Sequence, residues 1–132
     1  MKNGTDQPSE FELQILGVLW ERGASTVREV MEHLPDGKPR AYTSVLSVMQ
    51  VMQKKGLLKA KKQKNGPANM YSPRKSRDQI AGPLMKGLVS RVFGGNPALA
   101  VQQLLSGSDA ASEDLDAIRQ FLDDFEASRK KS

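Results

Sequence analysis

The sequence predicts a mainly α-helical protein with one small β-hairpin: a winged helix-turn-helix domain over residues 1–75, then a helical segment suited to dimerisation over residues 76–132. Three observations predict it. Three amphipathic helical stretches precede two short basic segments around Asn65-Gly66-Pro67, a hairpin pattern. Residues 37–75 hold ten basic side chains and no acid. Residues 76–132 are near neutral, 7 basic against 8 acidic, with apolar residues at helical spacing.

The first helix opens after Pro8-Ser9, where Ser9 and Glu12 match a capping box, and Gly23 stops it. Phe11, Ile15, Val18 and Leu19 form one apolar stripe and Leu13, Leu16 and Trp20 an adjacent one, so this helix packs on two sides with Trp20 in the core. Thr26 and Glu29 make a second capping box, followed by Val27, Val30, Met31 and Leu34 on one face. Pro35-Asp36-Gly37-Lys38-Pro39 breaks the chain. A third helix then lies within "PRAYTSVLSVMQVMQKKGLL", with Ala41, Tyr42, Val45, Val48, Met49 and Met52 inward, Lys54 and Lys55 in its last turn, and Gly56 at its end. Residues 57–63 and 69–74 read as the strands of the hairpin.

Beyond Ser76 a helix is expected up to Gly94-Gly95, kinked or interrupted at Pro83. Asn96-Pro97 starts a short helix, and Ser112 caps a last one. Leu115, Ile118, Leu122 and Phe125 repeat at spacings of 3, 4 and 3, a coiled-coil-like seam.

Composition removes most chemistries. The 132 residues include no Cys and a single His, so disulfides, thiolate metal sites, a Cys nucleophile and multi-histidine sites are excluded. His33 ends the second helix and reads as a surface or capping residue, and Gly94-Gly95 as a helix terminator rather than a nucleotide cradle. No carboxylate pairs with a nucleophile or sits in a metal motif, so no enzyme activity and no cofactor or metal are expected. The first ten residues lack an apolar core and no run of apolar residues is long enough to span a bilayer, so no membrane insertion is expected and the chain reads as cytoplasmic.

The net charge is +5, and residues 1–75 carry +6 of it, 13 basic against 7 acidic. Such a field suits a polyanion. The third helix presents Arg40, Thr43, Ser47, Gln50 and Lys54 on one face, with Ser44 beside it. These residue types pair with base edges and phosphates, whereas a carboxylate there would meet the phosphate field at a cost. Ser25, Thr26 and Arg28 lie where the second helix could receive a phosphate, although Ser25 and Thr26 serve equally well as caps. Tyr42 is counted among the candidate contacts as well as with the inward set. Lys61, Lys62 and Lys64 sit near the hairpin tip, with Lys59 behind them, as a wing gripping the DNA backbone requires. The alternative is a winged-helix interaction module that meets an acidic partner through the same face; Ser, Thr and Gln on the helix favour double-stranded DNA.

In the C-terminal part, Leu84, Leu88, Val92 and Phe93, with Leu115, Ile118, Leu122 and Phe125, supply more apolar face than these helices can bury internally. Self-association into a two-fold dimer, presenting two reading helices to two half-sites, is the economical reading. Folding back onto the N-terminal domain is the competing one.

"SEFELQILGVLWERGASTVREVMEHL", "AYTSVLSVMQVMQKKGLL", "MYSPRKSRDQ" and "RVFGGNPALAV" closely resemble the penicillinase repressor family, the BlaI/MecI type, over residues 8 to about 125. The resemblance implies a homodimeric winged-helix repressor on palindromic operator DNA. It places Thr43, Ser44 and Ser47 near bases, Arg40, Lys54 and the wing lysines near phosphates, and dimerisation after Ser76. It also implies an upstream sensor or protease. The chain departs from the family in two ways: it lacks the Cys-rich tail of copper-responsive relatives, and Gln103-Leu104 stands where the β-lactamase regulators are cleaved at an Asn-Phe bond.

Overall fold

The computed structural model describes residues 7–63, 65–66, 68–107, 109 and 111–130. The elements run α1 (Glu10–Arg22), α2 (Val27–Glu32), α3 (Tyr42–Lys54), β1 (Leu58–Lys62), β2 (Asn69–Pro73), α4 (Arg77–Val92), α5 (Pro97–Ser106) and α6 (Ser112–Lys130). This is a mostly helical chain with a two-stranded antiparallel sheet, as a winged helix requires. The chain divides into two compact units, Met1–Leu84 and Met85–Ser132, with the boundary inside α4.

Local chemistry explains the helix ends. Ser9 Oγ accepts the Glu12 N–H and Glu12 Oε1 accepts the Ser9 N–H; Thr26 and Glu29 do the same for α2. Ser76 and Gln79 form a third such pair before α4, and Asn96 Oδ1 receives the first N–H groups of α5. Gly23 and Gly56 take φ of 85° and 83° just past α1 and α3, a conformation only glycine adopts without strain.

The first unit is built around Ile15, Leu16 and Leu19 of α1, Val30 of α2, Val45, Met49 and Met52 of α3, and Leu58 and Tyr71 of the hairpin, all almost wholly buried. Each contributes on the order of 2 kcal/mol by leaving water. The hairpin is tied to the helices by a backbone bridge. Ser25 N donates to Tyr71 O at 2.9 Å and Tyr71 N to Ser25 O at 2.7 Å, so Ser25, just ahead of the Thr26 cap of α2, acts as a third strand position.

Several expectations need correction. α3 begins at Tyr42, with Ala41 as N-cap, so Arg40 precedes the helix instead of lying on its face. Ala41 and Tyr42 are exposed, not inward, because the first turn projects beyond the core. Trp20 lies at the core's edge, its indole N–H donating to Lys75 O at 3.0 Å. α4 runs through Pro83 without interruption. The preceding Gly82 has no Cβ to clash with the proline ring, which removes one of the usual obstacles. Ser112 is inside α6 rather than its cap, where Asp114 accepts the Ala111 N–H instead. Leu84, expected in the dimerisation set, packs against the core of the first unit.

In the second unit Met85, Leu88, Val92, Leu99, Val101, Leu104 and Leu105 are exposed, and no residue of α6 is buried. Ile118, Phe121, Leu122 and Phe125 lie open on α6, with Phe121 stacked on Phe125 at 5.9 Å between centroids. Leu115 and Phe93 are half-buried. Gln103-Leu104 lies within α5.

Candidate nucleic-acid interface

α3 buries Val45, Met49 and Met52 and turns Thr43, Ser44, Ser47, Gln50 and Lys54 to solvent. The helical period explains the split, since the buried residues follow one another at spacings of four and three and the polar ones occupy the opposite arc. Val51 shares that exposed arc at 47% exposure, an apolar residue on a polar stripe. Its place between Ser44 and Ser47 on the helical wheel was the signal available in the sequence.

The start of α3 differs from that of α1, α2 and α5. Ala41 supplies no side-chain cap and the first turn holds no acid. The N–H groups there keep their partial positive charge, a favourable position for an anionic phosphate oxygen. Beside it, the Arg28 guanidinium lies 5.2 Å from the centre of the Tyr42 ring, and Tyr42 is 38% exposed. Arg28 and Tyr42 are thus brought together at the start of α3.

Thr26 is half-buried and occupied as the cap of α2. Ser25 leaves the candidate set. It is 1% exposed, and its hydroxyl donates to Gly23 O at 2.9 Å, because the backbone bridge to the hairpin draws it inward.

Arg40 is accessible only in part and is already engaged. Its Nη1 and Nη2 donate to Asp36 Oδ1 at 2.9 Å and Oδ2 at 2.7 Å, and its guanidinium lies 4.2 Å from the centre of the Phe11 ring. The Asp36 carboxyl is held well below the usual carboxylate range, first by these hydrogen bonds from Arg40 and then by the Lys38 N–H. Sequence reasoning found the absence of acids after residue 36 but not that the last acid before it faces Arg40.

The hairpin register, Leu58↔Pro73, Ala60↔Tyr71 and Lys62↔Asn69 on one face, Lys59↔Ser72 and Lys61↔Met70 on the other, divides the lysines. Lys62 and Asn69 continue the face that carries buried Tyr71; Lys59 and Lys61 point away. Lys64 lies outside the described residues. A cleft of about 220 Å³ separates α3 from the wing, lined by Val27, Tyr42, Leu46, Gln50, Ala68, Asn69 and Tyr71. Asn69 was not singled out in the sequence; its place opposite Lys62 depends on the register.

His33 is the C-cap of α2, with Nδ1 2.9 Å from Glu29 O and Nε2 3.1 Å from Arg22 Nη1. The carbonyl requires a proton on Nδ1 and the guanidinium an acceptor at Nε2, so the arrangement suits a neutral ring in a structural role. Among the described residues no group of three or more His, Cys, Asp or Glu side chains is placed to hold a metal, and no helix is long and apolar enough to cross a membrane.

Comparison with known proteins covers most of the chain. Residues 8–124 match the family model described as penicillinase repressor. The chain is 31% identical over 122 residues to the transcriptional regulator BlaI of Mycobacterium tuberculosis, strains CDC 1551 / Oshkosh and ATCC 25618 / H37Rv, covering 89% of this chain and 84% of the relative.

Proposed function

The chain belongs to the penicillinase repressor family, and from that premise we propose that it acts as a homodimer that occupies palindromic operator DNA and blocks transcription. In the coarser sense it is a DNA-binding transcriptional regulator, not an enzyme. The observation that carries the reading is the acid-free polar stripe of α3, exposed beside a lysine-bearing wing.

In this reading α3 enters the major groove. Thr43, Ser44, Ser47 and Gln50 meet base edges, with Gln50 able to pair bidentately with adenine. Arg28, Lys54 and Lys62 neutralise phosphates and fix register without reading sequence. Thr26 and Tyr42 border the same strand. The exposed apolar residues of α4, α5 and α6 form the dimer contact, since an apolar face of this extent is rarely left to water in a monomer. A two-fold dimer presents two copies of α3 to half-sites about 34–36 Å apart, one DNA turn, or a multiple of it. A signal that weakens dimerisation uncouples the two half-site contacts and lowers affinity steeply. A cytoplasmic location goes with access to DNA.

The test begins with genomic DNA captured by the full chain and sequenced, which supplies the operator. Binding to that duplex is then measured by fluorescence anisotropy across salt concentrations. Log K should fall linearly with log salt, with a slope of about −0.9 for each phosphate contacted. Affinity that ignores salt, with no enrichment of any sequence, rejects the reading in favour of an acidic protein partner.

A further inference from the structure

We propose that Asp36 and Arg40 are positioning residues for operator recognition: they lock the α2–α3 turn onto α1 and so set where and at what angle α3 begins, and the Arg40 guanidinium is not itself a phosphate contact. The inference rests on the DNA-binding reading above and deepens it.

Asp36 has its acceptor positions filled. Oδ1 receives Arg40 Nη1 and the Lys38 N–H at 3.0 Å; Oδ2 receives Arg40 Nη2 and Gln14 Nε2 at 3.2 Å. A carboxylate offers about four such positions, so little capacity is left over. Two of the groups that fix this arrangement belong to α1, Gln14 by its hydrogen bond and Phe11 by the ring under Arg40. The other partners belong to the turn, which Gly37 makes possible with φ 62°. Arg40 stands immediately before Ala41, the N-cap of α3. The fork of hydrogen bonds is therefore applied at the hinge from which the reading helix departs.

Geometry makes this a poor reserve cation for DNA. To grip a phosphate, Arg40 would have to leave both a bidentate carboxylate and an aromatic face, and Asp36 would then present an uncompensated negative charge near the polyanion. Lys54 and Arg28 carry no such attachment to a carboxylate among the ion pairs described. A planar fork held on two sides is a device for fixing orientation, and a Lys at this position cannot reproduce it.

The experiment compares the full-length wild type with D36N, R40A and R40K on operator duplex and on an unrelated duplex, each across a salt series. Expected for all three variants is a fall in the ratio of operator to unrelated affinity of about tenfold, the order of one mismatched base pair. The salt slope should stay at the wild-type value, and the D36N/R40A double variant should be no worse than either single one, because both act through one contact. Far-ultraviolet circular dichroism of each variant, matched to that of the wild type at the assay temperature, reports that it is folded. The proposal is overturned if R40A makes the slope shallower by about 0.9 with the affinity ratio unchanged while R40K restores it, the signature of a phosphate contact. That result leaves the regulator reading intact. A wild type with no salt-dependent DNA binding removes both.

Discussion

Lys55 Nζ, at the C-cap of α3, lies 3.1 and 2.9 Å from the two carboxylate oxygens of Glu12 in the first turn of α1. Glu12 is 5% exposed and its Oε1 also accepts the Ser9 N–H. One carboxylate thus caps α1 and anchors the C-terminal end of α3. The Asp36–Arg40 fork holds the near end against the same helix. α1 serves as the frame on which α3 is mounted at both ends.

Removing the cation strands a buried carboxylate. K55M should lower unfolding stability by about 2 kcal/mol, less than the loss expected for a fully buried pair because the Lys55 side chain is 38% exposed. Urea denaturation followed by circular dichroism measures it. E12Q combined with K55M should cost less than the two single losses added together.

On the proposed function, the exposed polar stripe of α3 governs sequence preference more than affinity. S47A and Q50A together should reduce discrimination between operator and unrelated duplex by about 1–3 kcal/mol, while binding to the unrelated duplex changes little. Competition titrations at fixed salt check this. Equal loss on both duplexes would assign the two residues to the backbone.

The wing lysines are unequal by register. K62A should make the salt slope shallower by about 0.9 without altering sequence preference, as a phosphate contact does. K61A, on the face turned away from Tyr71, should have the smaller effect. Slopes from a salt series on the two variants decide between them.

A charge on the open face of α6 should divide the dimer. L122D, or F121D at the residue 64% exposed, adds a carboxylate where the proposed partner contributes apolar surface. Sedimentation velocity should show a monomer at micromolar concentration, with operator affinity reduced by more than tenfold as the second half-site contact is lost. A dimer unchanged by both variants would place the interface elsewhere.

Acid should weaken the fold through the same turn that aims α3. Asp36 titrates below its ordinary value in the folded chain, so its contribution to stability is complete above the ordinary carboxylate range and is lost as pH falls below it. Glu29, lowered chiefly by its hydrogen bond with the Thr26 N–H, acts in the same direction. Melting temperature followed from pH 6 down to about pH 2 should decline, and D36N should flatten that decline.

The order of elements was legible from residue order alone because its signals are local. Ser9 and Glu12, Thr26 and Glu29, and Asn96 with Pro97 lie within a turn of each other, and their hydrogen bonds need no distant partner. The outward stripe of α3 was equally readable, since the helical period fixes which residues share an arc. The family could be read from the chain because the motifs that carry it lie along these local elements. What decided the rest was proximity between residues remote in the chain: Gln14 and Asp36 lie 22 positions apart, Glu12 and Lys55 43. Whether Ser25 is a DNA contact or a strand position, whether Lys61 or Lys62 shares the face of Tyr71, and whether Arg40 is free or clamped all depend on which surfaces meet after collapse. Composition and spacing set the charge and the amphipathic faces, but a hydrogen bond is short and directional, so only the packed chain determines which donor finds which acceptor.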